Sequence, residues 1–152
     1  AEISMKDAAE VIKKDFETYP RFRSYIDSTV EFAKKNGYLQ SLMGRRTPVP
    51  DINSDTVFRR EGAERIAINP PLQGTSADMI KIAMINISCE LSAKKFRSRM
   101  IMQVHDELVF DVPPEELETV VPLIKDIMES IVSFKVKMVV DGKLADNWAE
   151  AH

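Results

Sequence analysis

Two short apolar runs, Met100–Val104 and Leu108–Val112, are separated only by His105, Asp106 and Glu107. Runs of that length and spacing read as two strands of a hairpin whose tight end carries the polar triplet. Pro113-Pro114 closes the second strand, and Glu115 and Glu116 suit the first turn of a following helix. Leu117, Val120, Val121, Ile124, Met128 and Ile131 keep helical spacing there, while Pro122 predicts a kink or a late start. Lys135 to Val140 alternates like a strand, and the tail ends around Trp148, a packing anchor.

Upstream, the pattern is helical. Ser4 and Asp7 form a capping pair ahead of Ala8, Ile12, Phe16 and Tyr19, which share one helical face. Pro20 ends that helix and opens the next, whose buried stripe is Phe22, Ile26, Val30 and Ala33 and whose left-handed cap is Gly37. Tyr38–Met43 fits a short strand, and an irregular loop follows from Gly44 through Pro48 and Pro50 to near Ser54. A third helix runs from about Thr56 to Ile68. Asn69-Pro70-Pro71 predicts an interruption, and Thr75 or Ser76 can cap a long helix to about Phe96. Met79, Ile80, Ile82, Ala83, Met84, Ile85 and Ile87 are apolar nearly all round it, which predicts a buried central helix with Cys89 also buried. The fold class is α+β, helices packed on a small antiparallel sheet, with a division between residues 1–68 and 69–152.

With 152 residues the chain is the size of one compact domain, and 44% apolar against 30% charged residues argues against disorder. No apolar run approaches the roughly 18 residues of a membrane helix. One cysteine precludes an internal disulfide or a Cys-rich zinc site, and the N-terminus has no apolar signal core. The expectation is a soluble, cytoplasmic chain, and the lack of an initiator Met fits a trimmed or excised one. A net charge of -3 excludes a wholly basic nucleic-acid binder. Charge is nevertheless uneven. Lys34 to Arg65 holds seven bases and four acids, Lys94 to Arg99 four bases and no acid, and His105 onward eleven acids and four bases. That is what a phosphate-contacting face beside a cation site needs, and equally what two solvated faces would show.

Asp106 and Glu107 are the pair to explain. Carboxylates at the end of two apolar strands suit a divalent cation, because Mg²⁺ takes oxygen from one or two carboxylates plus substrate phosphates. His105 beside them can donate to a phosphate or sugar oxygen. The plain alternative is a solvated turn, where Asp is favoured anyway. Arg65 and Gln73 likewise read as helix-surface and helix-start residues, and Arg45-Arg46 as a solvated loop pair.

The longer strings add a resemblance. Gln103-Val-His-Asp-Glu-Leu-Val-Phe110 resembles motif C of the family A DNA polymerases. Arg60-Glu-Gly-Ala-Glu-Arg-Ile-Ala-Ile-Asn69 and Gln73-Gly-Thr-Ser-Ala-Asp-Met-Ile-Lys81 resemble the helix–break–helix before it. Gly37-Tyr38 through Gly44-Arg45-Arg46 with Pro50-Asp51-Ile52 resembles the segment between fingers and palm, and Asn147-Trp148 to His152 is similar to the family's ending. The blocks stand in family order over nearly the whole chain.

That resemblance implies part of a palm with part of the fingers, and template-directed addition of deoxynucleotides to a primer 3′ end by two-metal phosphoryl transfer with Mg²⁺. It implies Asp106 as a metal ligand, Glu107 as an accessory ligand and His105 near the primer terminus. It also implies Gln73 in the minor groove, Arg65 and Asn69 on the template side, and Arg45, Arg46 and Arg60 on DNA. An amide and a guanidinium reading minor-groove acceptors check pair shape without choosing bases. The implied partners are primer-template DNA, dNTP and the remainder of a polymerase chain, with no membrane, in a nucleoid-associated cytoplasmic setting.

Two departures stand out. Thr47 and Pro48 follow Arg45-Arg46 where the family has a basic or polar residue and an aromatic, and Gly62 replaces a common alanine at up to about 1 kcal/mol. The motif A aspartate and the nucleotide-binding fingers helix are absent, so this chain alone is expected to be inactive, and an exposed sheet edge predicts dimerisation. Two other readings are a metal-dependent nuclease or phosphohydrolase using His105, Asp106 and Glu107, and a non-catalytic nucleic-acid-binding module. A P-loop ATPase is excluded by the missing glycine motif.

Overall fold

The structure is a computed structural model that describes residues 4–151, the side chains of residues 5, 6, 9 and 151 excepted. Its backbone divides into two compact units between Thr75 and Ser76.

The first unit begins with α1 (Met5–Thr18), capped by Ser4, whose Oγ accepts from the Asp7 N–H. Pro20 then occupies the first position of α2 (Pro20–Asn36), where a missing N–H costs nothing. Gly37 ends α2 at φ 75°, and its N–H bonds the Ala33 carbonyl at 2.7 Å. The stripe expected on α2 is only partly buried. Ala33 is fully covered, but Phe22 is half-exposed at the α1–α2 corner, where it meets Phe16 and Arg23 covers the Phe16 ring.

The loop after Gly44 is more regular than its prolines suggest. β1 (Tyr38–Gln40) pairs antiparallel with β2 (Arg46–Pro48), Leu39 facing Thr47. The Val49 N–H bonds the Gly37 carbonyl at 3.0 Å, which places Pro48, opposite Tyr38, at a non-hydrogen-bonded position where its missing N–H forfeits no ladder bond. A 3₁₀ turn (Pro50–Asn53) leads to α3 (Val57–Ile66). Ala33, Leu39, Val49, Ile52, Ala63 and Ala67 form the core of this unit, and a Lys34–Glu64 ion pair at 2.6 Å joins α2 to α3.

The interruption expected at Asn69-Pro70-Pro71 is present, residues 67–69 lying outside both helices, but α4 (Pro70–Ala93) begins at the prolines themselves and not at Thr75 or Ser76. First-turn N–H groups have no intrahelical acceptor, so prolines fit there. The turn closes with the Leu72 and Gln73 N–H groups on the Asn69 carbonyl. At the other end Lys95 takes φ 58°, with Lys95 N–H on Ser92 and Phe96 N–H on Leu91, a Schellman close with a lysine where glycine is usual.

In the second unit α4 is not buried all round. Ala83, Ile87 and Leu91 are covered, whereas Ile85 is 62% exposed and Cys89 is exposed. One partner helix, α5 (Leu117–Ser130), supplies Val120 and Ile124 and covers only one stripe. β3 (Arg99–Val104) and β4 (Glu107–Asp111) form the hairpin, and Met100, Leu108 and Phe110 pack on that core. The register slips between Met100 and Met102, leaving Ile101 as a bulge. After a 3₁₀ turn (Pro114–Glu116), α5 starts on time and continues through Pro122, whose exposed side faces away from buried Val120 and Ile124.

Lys135–Val140 is not a strand. The Val140 N–H bonds Glu129 Oε1 of α5, and Lys137 Nζ lies 3.7 Å from Glu129 Oε2, so this segment is held by a side chain and not by a sheet edge. A short α6 (Trp148–Ala151) follows, with Trp148 half-exposed. No described helix is long and apolar enough to cross a membrane.

Candidate active site

The hairpin turn contains two residues, His105 and Asp106, and not three, because Val104 pairs directly with Glu107. A two-residue connection requires positive φ, which His105 supplies at 51°. Gln103 Nε2 donates to the His105 carbonyl at 2.5 Å, tying the turn to the strand before it. Asp106 therefore stands at the apex, and Glu107 is the first residue of β4.

The faces of β4 follow from burial. Leu108 and Phe110 point to the helical core, so Glu107, Val109 and Asp111 share the opposite face. Glu107 is exposed there beside Val104, its cross-strand neighbour, and Asp106 and His105 are exposed at the tip. The donor chemistry at this tip is hard carboxylate oxygen, which suits Mg²⁺. Among the described residues no group of three or more His, Cys, Asp or Glu side chains gathers. The two carboxylates thus fit such an ion as part of a ligand set to be completed by substrate phosphates, water or other carboxylates.

The basic and amide candidates lie in the first unit. Arg65 lines a groove of about 660 Å³ between α2 and α3, floored by Ile26, Val30 and Ile68. Arg60 Nη1 donates to the Ser54 carbonyl at 3.0 Å, at the foot of α3. Arg46 stacks 4.6 Å over the Tyr38 ring. The β1–β2 turn docks on the start of α4, where Leu42 N–H bonds Thr75 Oγ1 at 2.9 Å. Arg45 Cδ stands about 4.0 Å from where a Gly74 Cβ would be. That docking brings Arg45 beside the helical turn of Gln73, which is exposed, as is Asn69 at the exit of α3.

Glu116 suits a helical first turn, and its neighbours in the sequence assign it no partner. In the structure its Oε1 accepts the Arg97 N–H at 2.8 Å, and its Oε2 accepts the Ser98 N–H at 2.9 Å and the Ser98 hydroxyl at 2.6 Å. The Arg97 backbone bond, then the Ser98 hydroxyl, hold this carboxyl below the usual carboxylate range against a smaller opposing cost of burial. No local pattern announces such a pairing across eighteen residues.

Residues 1–150 match the family described as DNA polymerase family A. The chain is 45% identical over 148 residues to a DNA polymerase I of Caldicellulosiruptor bescii, covering 97% of this chain and 17% of that protein. It is 39% identical over 149 residues to the thermostable DNA polymerase I of Thermus thermophilus, covering 98% of this chain and 18% of that one. The solved POL domain of Pol1 from M. smegmatis, in complex with DNA primer-template and dNTP, superposes with a TM-score of 0.85 at 36% identity, over 89% of this chain and 24% of that domain chain. The chain thus spans about a sixth of the curated relatives it matches.

Proposed function

The chain belongs to DNA polymerase family A, and from that premise we propose that it furnishes one part of the catalytic centre of a template-directed DNA polymerase acting in replication and repair. On this reading residues 1–68 belong to the fingers side and 69–152 to a partial palm. The observation that carries it is the hairpin tip, two adjacent carboxylates fixed by a two-residue turn and a packed strand pair.

Asp106 and Glu107 would hold divalent cation at the primer end, Asp106 as the ligand at the apex and Glu107 as an accessory. Bound there, Mg²⁺ would offset charge on the attacking and leaving oxygens of phosphoryl transfer. His105 would donate to a phosphate or sugar oxygen of the primer terminus. Gln73, Asn69 and Arg65 would meet the primer–template duplex, with Arg45, Arg46 and Arg60 on its phosphates. The substrates would be primer-template DNA and dNTP, and chromosomal DNA would be the cellular setting. Two carboxylates leave a two-metal site half furnished, so the chain alone is expected not to extend a primer, and the remaining carboxylates must come from elsewhere in a polymerase chain. The exposed Ile101 at the hairpin bulge would favour self-association of the isolated chain, which light scattering tests directly.

The test is complementation. The chain is mixed with an upstream polymerase fragment from a relative, and Mg²⁺-dependent primer extension is measured with and without Asp106→Ala. Extension should fall at least about 10²-fold, while the exposed position keeps stability within about 0.5 kcal/mol. Extension untouched by Asp106→Ala would refute the assigned role. DNA binding that ignores both Mg²⁺ and Asp106 would favour the binding-module reading.

A further inference from the structure

The β3–β4 hairpin is attached to its unit by apolar packing along one face, through Met100, Leu108 and Phe110. Such packing is non-directional and does not by itself fix the angle at which the hairpin stands. Directional bonds occur at its base. Ser98 immediately precedes β3, and Glu116 follows β4 at the entry to α5. The Glu116 carboxylate spends both oxygens on three donors of Arg97 and Ser98 at 2.6–2.9 Å, and Arg97 Nη1 reaches Glu115 Oε1 at 2.9 Å. Ser98 is 5% exposed, so the two donors it supplies come from a buried residue, while the Glu116 carboxylate stands partly in solvent.

We propose that Glu116 is a positioning residue, a clasp that closes the base of the hairpin and so sets where Asp106 and Glu107 stand. The inference rests on the reading of the tip given above. The six residues of β3 make a lever of about 20 Å, at about 3.3 Å per residue. A tilt of only about 3° at the base then moves the tip by about 1 Å, a displacement able to cost up to about 10²-fold in rate. Glu116→Gln keeps the shape but turns an NH₂ toward the Arg97 or Ser98 donors, so at least one bond is lost.

Two readouts test this. In the 152-residue chain, backbone amide NMR signals of His105, Asp106 and Glu107 are compared between the native protein and Glu116→Gln, well below the unfolding midpoint. A clasp predicts that tip signals move although the substitution lies at the far end of the hairpin. A residue that merely adds stability would lower the midpoint and leave them in place. In the complemented polymerase, Glu116→Gln is expected to lower kcat about tenfold with dNTP KM within about twofold, and Glu116→Asp to restore part of it. Tip signals and kcat both at native values in a folded Glu116→Gln chain would overturn the proposal. If Asp106→Ala abolishes extension while Glu116→Gln does neither, the clasp fails and the tip reading stands. If Asp106→Ala changes nothing, the tip reading fails, and the NMR shifts still decide the clasp. Should Glu116→Gln not fold, Ser98→Ala, which removes one donor of the three, is read by the same two measurements.

Discussion

Replacing Gly62 by alanine should stabilise this chain, and the same replacement at Gly74 should not. Both glycines lie inside helices, α3 and α4, where exchange for alanine recovers about 0.5–1 kcal/mol of backbone entropy and propensity. At Gly62 an added Cβ meets no atom within 4 Å, so nothing opposes the gain. At Gly74 it would stand 3.3 Å from the Ser41 Cβ. Ser41 cannot easily yield, being 7% exposed, with its N–H on the Arg45 carbonyl at 2.9 Å and its Oγ accepting the Arg45 N–H at 3.1 Å. Overpacking of that kind costs about 1–3 kcal/mol, which cancels or exceeds the propensity gain. Urea unfolding should therefore give Gly62→Ala a midpoint above the native chain at unchanged m value. Thermal unfolding should show a rise of about 1–4 °C. Gly74→Ala should fall at or below native in both. Equal stabilisation by the two substitutions would refute the steric argument, and no gain at Gly62 would refute the propensity one.

Lys95 holds a left-handed conformation at the α4 terminus, so Lys95→Gly should stabilise by about 0.5–1 kcal/mol and Lys95→Val destabilise, as read by urea titration. Ile87→Ala should cost about 2–5 kcal/mol in the same assay, because Ile87 is fully buried, while Ile85→Ala should cost under about 0.5 kcal/mol, because Ile85 is 62% exposed. The Glu116 carboxyl titrates lower in the folded chain than in the unfolded one, so its contribution to stability is fully present above the ordinary carboxylate range and is lost as pH falls through its folded value. Stability measured from neutral to acidic pH should decline more steeply in that acidic window for the native chain than for Glu116→Gln. Parallel curves would contradict the assignment.

What was legible in the sequence follows a physical division. Ser4, Pro20 and Gly37 act within one turn of themselves, so their roles as caps and starts could be read locally. The hairpin was legible because two apolar runs so close together have few other ways to pair. Where a residue's state depends on what lies opposite, local reading failed. Ile85 and Cys89 have core-like chemistry, but a single partner helix leaves their side of α4 uncovered. Lys135–Val140 alternates correctly for a strand but, among the described residues, pairs with none, being anchored instead through Glu129. At Asn69-Pro70-Pro71 the break between helices was legible, but the exact start of α4 was not, because a proline that ends one helix equally suits the first turn of the next. At the tip, the residue types were informative, but the boundary between turn and strand was not, because it hinges on the left-handed backbone of His105.

The two-residue connection at His105-Asp106 leaves no slack. An insertion of one residue on the Glu107 side would rotate the strand by half its repeat, turning the carboxylate inward and Leu108 out to water. A deletion would pull Asp106 into the ladder. Changes of length are therefore expected to be poorly tolerated in this stretch. The irregular stretch from residue 132 to 147, pinned at few points, can take additions cheaply. Drift in chain length among relatives should accumulate there and stop short of the hairpin, and a library of single-residue insertions scored for folding would trace that boundary without any knowledge of the reaction.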